Sequence, residues 1–161
     1  MDWVAEEPES LEEWVQRLRR FRARFDLGED FVYAIFDRDE TEVVGGTGLH
    51  PRVGPNALEI GYWIRASRTR EGLATEATAA LTRVAFELCA VDRVELRIDP
   101  RNEKSLPIAR RLRFAEEATL RRRLPGGGDA VVFSLFRDGF AATPAAGAAL
   151  EGYDAAGARI L

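Results

Sequence analysis

A chain of 161 residues is long enough for one domain with a proper hydrophobic core and short for two. With 46% hydrophobic and 31% charged residues the composition is that of a globular protein, and a net charge of −4 speaks against general nucleic-acid binding. The single cysteine, Cys89, excludes disulfide frameworks and cysteine-based zinc sites.

The first predicted element is a helix. Ser10 and Glu13 form a capping-box pattern, and Leu11, Trp14, Val15, Leu18, Phe21 and Phe25 recur at helical spacing. The arginines between them (Arg17, Arg19, Arg20, Arg22 and Arg24) read as a solvated face. Strands follow at Phe31–Asp37 and Glu42–Leu49, joined as a hairpin across Arg38–Thr41. The loop His50–Asn56 leads into a third strand, Ala57–Ile64, and the turn Arg65–Glu71 into a helix from about Leu73 to Ala90. Leu73, Ala77, Ala80, Leu81, Val84 and Leu88 form the expected buried stripe of that helix. Arg93–Asp99 alternates as a strand, with Val94, Leu96 and Ile98 set against Glu95 and Arg97. A short helix capped by Asn102 runs to near Arg113 and is distorted by Pro107. Strands Phe114–Arg123 and Ala130–Arg137 close the pattern around the loop Pro125–Asp129.

This order predicts an α+β, three-layer fold with a mixed, mostly antiparallel central sheet flanked by helices. Residues 1–137 make the domain, and residues 138–161, rich in alanine and glycine, an appended arm. No apolar run nears the roughly 20 residues of a bilayer span, and the start lacks a basic-then-apolar signal segment. A cytoplasmic protein without a membrane partner is therefore expected.

The most informative stretch is Ile60–Ala77, where a strand feeds a tight turn that opens a helix with little bulk at Gly72 and Ala74. The first amides of a helix have no internal partner, and the helix dipole makes that end partially positive. A phosphate can approach such amides closely. On geometry alone, a glycine that merely permits the turn is an equally good account. Neither a P-loop nor a dinucleotide-binding glycine pattern occurs.

The segments EIGYWI, GLATEA and RVELRIDPRNEKS resemble the acetyl-CoA signature of the GNAT acetyltransferases, in particular the RimJ/RimL branch that acetylates ribosomal-protein N-termini. The resemblance covers roughly Ser10 to Arg137. It implies acetyl-CoA as cosubstrate without a metal, main-chain pairing of Trp63 and Ile64 with pantetheine, and a pyrophosphate cradle in the amides of Arg70, Glu71, Gly72, Leu73, Ala74 and Thr75. Arg70 stands where the family has a turn glycine. The helix from Asn102 to Phe114 matches a second family pattern, with Ala109 in place of a tyrosine proposed to protonate the leaving thiolate. In this branch Ser105 occupies the place assigned that role, and Asn102 is a cofactor contact as well as a helix cap. Relatives normally begin with one more strand and helix, and by this resemblance the chain is expected to start after them.

A protonated amine cannot attack a thioester, so a base or a water relay must accept a proton. Glu59 is the leading candidate for that base, against the reading of an ordinary outward-facing strand glutamate: it interrupts an apolar run (Leu58, Ile60, Tyr62), and the resemblance also places a glutamate there. His50 reads as a loop-lining residue without a catalytic part, and Asp129 as either turn chemistry or an acceptor contact. The expected protein is an N-acetyltransferase acting on an amine, most favourably a protein N-terminus. A small-molecule amine acetyltransferase and a non-catalytic acyl-CoA-binding module are the alternatives. Oligomeric state stays open, a homodimer included.

Overall fold

The computed structural model describes residues 10–161. The expected start of the chain without a preceding strand falls on residues 1–9, outside the described ones. Helix α1 (Leu11–Asp26) opens on the expected capping box: Glu13 N–H donates to Ser10 Oγ, and Ser10 N–H donates to the Glu13 carboxylate at 3.0 Å. Its apolar stripe is less buried than the spacing suggests. Leu11 is 81% and Leu18 58% exposed, while Phe25 packs edge-on against Phe31 and Tyr33.

The strands are β1 (Phe31–Phe36), β2 (Val43–His50), β3 (Ala57–Ile64), β4 (Arg93–Ile98), β5 (Ala115–Leu120) and β6 (Ala130–Phe136). They form one mixed sheet in the order β1-β2-β3-β4-β6-β5, in which only β3 and β4 run parallel. Strand β2 carries Gly45, Gly46 and Gly48, a poor composition for a central strand. The rings supply the reason. A Cβ at Gly46 would collide with the Trp63 indole, and one at Gly48 would lie 2.8 Å from the His50 ring.

Helix α2 (Leu73–Glu87) packs on β3 and β2. Its buried side is Thr78, Ala79, Leu81, Thr82, Ala85 and Phe86, a rotation from the predicted stripe, and Leu88 beyond its end is 40% exposed. Burial of two threonines costs little here, because their hydroxyls donate to the carbonyls of Ala74 and Thr78, each at 2.7 Å. The predicted Asn102–Arg113 helix is shorter: α3 spans Leu106–Arg111, with Pro107 in its first turn. A proline there has no N–H to lose from the helix, so the chain turns through residues 102–105 first.

The core joins Leu49, Leu58, Ile60, Phe86, Val94, Leu96, Phe114 and Phe133 between sheet and helices. Residues beyond 137 contribute to it. In α4 (Arg137–Phe140) the Phe140 ring lies 4.8 Å from that of Phe86, and Ala145 is fully buried. Arg83 donates to the Ala148 carbonyl at 3.0 Å. From about residue 149 onward the chain is mostly exposed.

Candidate active site

Strands β3 and β4 pair only at Ala57–Arg93, Leu58–Val94 and Glu59–Glu95, and then separate. Each is held by its other neighbour: β3 by β2 along its outer half, and β4 by β6 along its full length. From Ile60 onward one edge of β3 therefore lacks a ladder partner. Arg65 N–H donates to the Val44 carbonyl at 2.9 Å, which sets the phase of the β2–β3 ladder. In an antiparallel pair bonded residues alternate, so 61, 63 and 65 face β2, whereas 60, 62 and 64 present N–H and C=O to the gap. Of the two residues expected to pair with pantetheine, Ile64 has its main chain on the open side. The main chain of Trp63 belongs to the β2 ladder, and Tyr62 takes the open position instead.

Beyond Ile64 a 3₁₀ turn (Ala66–Arg68) leads to the turn residues. Arg70 (φ 71°) and Gly72 (φ 89°) are both left-handed. The first backbone bond of α2 is from Glu76 N–H to the Gly72 carbonyl at 3.0 Å, and no side chain caps the end. The amides of Leu73, Ala74 and Thr75 thus have no acceptor within the helix, and a Cβ at Gly72 would meet nothing within 4 Å. Such a cradle fits a pyrophosphate. Thr69 turns its hydroxyl inward to the Ala66 carbonyl at 3.1 Å, and Arg68 pairs with Glu71 at 3.0 Å.

A left-handed conformation costs a residue with a Cβ about 1–2 kcal/mol. Arg70→Gly removes that strain but loosens the unfolded chain, so a net gain of about 0.5 kcal/mol is expected in urea unfolding. A loss would mean that the arginine side chain contributes more than the strain removes.

Where β3 and β4 part, a cleft of about 420 Å³ opens, lined among others by Glu59, Tyr62, Asn102 and Ser105, with Arg52, Arg97 and Arg123. It brings the two expected catalytic residues and Asn102 together. The Arg70–Thr75 turn, Trp63 and Ile64 do not line it. Glu59 is 5% exposed, and its surroundings are not simply apolar. Arg52 grips both carboxylate oxygens, at 2.7 and 3.0 Å, and Arg97 lies 3.8 Å away. Arg97 and Arg93 also pair with Glu95, which is buried rather than facing solvent as its alternation suggested. The Asn102 side-chain oxygen accepts from Ser105 N–H at 3.1 Å, so Asn102 shapes the turn that presents Ser105. Asp129 accepts from Arg122 N–H at 2.9 Å, which is turn chemistry.

Two residues of this region were not singled out by sequence reasoning. Arg52 sits in a proline- and glycine-containing loop where an arginine carries no signal. Tyr62 shares a face with Ile60 and Ile64, so periodicity marks it as core. Burial pushes its phenol above the ordinary value, and the neighbouring Ser105 hydroxyl offsets part of that rise.

His50 is 2% exposed and holds Asp30 through Nδ1 at 2.5 Å, while its Nε2 is buried without a partner. Desolvation lowers its pKa from the ordinary 6.5, partly offset by Asp30. A group with a depressed folded-state pKa contributes stability that is present above its unfolded value and lost as pH falls below it. Unfolding free energy should therefore decline as pH drops through 6.5. Denaturant titrations of His50→Gln should show a flatter slope below that pH, and an unchanged slope would assign the decline to other groups.

Among the described residues no cluster of His, Cys, Asp and Glu is arranged to hold a metal, and no helix is long and apolar enough to cross a membrane. Residues 1–115 match the family model of the acetyltransferase (GNAT) domain. The uncharacterized N-acetyltransferase YoaA of Bacillus subtilis (strain 168) is 26% identical over 136 residues, 82% of this chain and 77% of its own length. A structure of Mycobacterium smegmatis RimJ in complex with CoA-disulfide superposes with a TM-score of 0.75 at 26% identity, covering 84% of this chain and 66% of that one. A ribosomal-protein-alanine acetyltransferase from Vibrio fischeri shares the fold at a TM-score of 0.72 and 23% identity, over 84% of this chain and 79% of its own.

Proposed function

Because the chain belongs to the GNAT acetyltransferases, which draw the acetyl group from acetyl-CoA, we propose that its acceptor is the α-amino group of a protein N-terminus. One observation carries the reading. A strand edge stripped of its ladder partner runs from a cleft holding Glu59 and Ser105 toward an uncapped helix end with free amides. Such an arrangement suits a long thioester whose polar arm pairs with the strand and whose pyrophosphate reaches the helix. The choice of acceptor leans on the likeness to RimJ and on chemistry. An α-amino group has a pKa near 8, against about 10.4 for a lysine, so its deprotonation is the lighter task. A cytoplasmic setting goes with that choice.

Acetyl-CoA supplies an activated acyl group, and the chain supplies position and proton handling. Glu59 accepts the proton that the attacking amine sheds. Arg52 occupies one lone pair on each oxygen, which holds the carboxylate in place and leaves the others for the amine or a water. Ser105 donates a hydrogen bond to the sulfur as charge develops there. The turn from Arg70 to Thr75 holds the pyrophosphate, and Asn102 orders Ser105.

Thiol release from acetyl-CoA, measured with peptides bearing free Ser or Ala N-termini and with polyamines, tests the proposal. Turnover with peptides and not with polyamines is expected. Polyamine turnover alone would make this a small-amine enzyme, and tight CoA binding without any turnover would make it a binding module.

A further inference from the structure

We infer that Tyr62 is the second hydroxyl of a proton relay that ends at Ser105 and the departing sulfur, a role that rests on the acetyl-transfer reading above. Two features carry it. The Tyr62 hydroxyl oxygen is buried with no partner in hydrogen-bonding geometry, which is costly for a polar group removed from water. A phenylalanine would fill the same volume without that penalty, so the hydroxyl is there to meet a partner that enters or moves. Ser105 is the neighbour. Its side chain makes no capping bond to the helix it precedes, and a serine hydroxyl reorients by rotation about a single side-chain bond. Among the described residues, Tyr62 and Ser105 are also the only two hydroxyl-bearing ones that line the cleft.

Placement adds a third argument. The main chain of Tyr62 lies on the unpaired edge of β3, the edge assigned to the thioester arm, so its phenol is anchored beside whatever that edge binds. During transfer the amine nitrogen forms a bond to the acyl carbon, the carbon–sulfur bond breaks, and the electron pair stays on sulfur. Ser105 gives its hydroxyl proton to the sulfur and takes the proton of Tyr62. Glu59 takes the proton shed by the amine and releases it to water, and the tyrosinate recovers a proton from water, so the site ends as it began. A phenol is protonated throughout the neutral range, and burial raises its pKa further, so the relay is loaded where the amine is free to attack.

The test compares Tyr62→Phe, Ser105→Ala and the double variant in the full chain. Tyr62→Phe should lower kcat about 10- to 100-fold while the CoA dissociation constant, measured by calorimetry, stays within about threefold. The double variant should be no slower than Ser105→Ala alone, because the two act in series. Subtracting the ultraviolet titration of Tyr62→Phe from that of the unaltered protein isolates this phenol, and its titration should move up in Ser105→Ala. An unchanged kcat in Tyr62→Phe, with Ser105→Ala impaired, would overturn the relay and leave the acetyl-transfer reading standing. A phenol titration indifferent to Ser105→Ala would overturn the relay even where no acceptor is turned over.

Discussion

Glu59→Gln is expected to lower turnover about 100-fold and to destabilise the fold by about 2 kcal/mol. The two effects have separate origins. Turnover falls because a carboxamide cannot accept the amine proton. Stability falls because Glu59 is 5% exposed and its carboxylate neutralises Arg52 and, at 3.8 Å, Arg97. Removing one partner of a buried ion pair commonly costs 3–5 kcal/mol, but both arginines are partly exposed, so water takes up some of the loss. Arg52→Met separates the two roles. It removes the bidentate partner of Glu59 and leaves Arg97 at 3.8 Å, so it should reduce stability while retaining more activity than Glu59→Gln. Urea unfolding and steady-state thiol release give the two readouts. Full activity in Glu59→Gln would move the base to another group or to water.

Gly72→Asp is expected to weaken CoA binding about 100-fold while leaving stability within about 1 kcal/mol. Gly72 immediately precedes α2 at a φ of 89°, and a Cβ there meets nothing within 4 Å. Aspartate is among the residues that tolerate the left-handed region, and its oxygen suits the end of a helix, so strain and capping largely cancel. The same carboxylate would stand where the amides of Leu73, Ala74 and Thr75 are assigned to hold a pyrophosphate, and like charges repel. Gly72→Asn keeps the shape without the charge, and it should recover most of the lost affinity. Equal losses in both variants would show that bulk, rather than charge, closes the cradle. Unchanged CoA affinity in Gly72→Asp would remove this turn from the cofactor site.

Much of the scaffold was legible because its signals are local. The Ser10–Glu13 capping box, the alternation in β4 and the glycine ahead of α2 each depend on a few neighbouring residues, and each corresponds to an observed element. Helix spacing located both helices but did not fix which side each buries. The stripe of α1 is largely exposed, and the buried side of α2 includes Thr78 and Thr82, whose hydroxyls are satisfied by the turn before them. Periodicity counts side-chain polarity and takes no account of such backbone bonds.

The site divides in the same way. The uncapped helix end at Gly72 follows from the order strand, turn, helix, which the sequence by itself determines because backbone amides at a helix start have no acceptor whatever the fold. The resemblance at EIGYWI and RVELRIDPRNEKS likewise sufficed for the family. What only the tertiary structure decided is how distant segments come together: the parting of β3 from β4 after three pairs, the grip of Arg52 on Glu59, and the placing of Tyr62 and Ser105 in one cleft. The physical reason is that strand registry sets which main-chain groups face the gap. A carboxylate's environment likewise depends on the loop that folds over it, and neither is encoded in the spacing of residues along one segment.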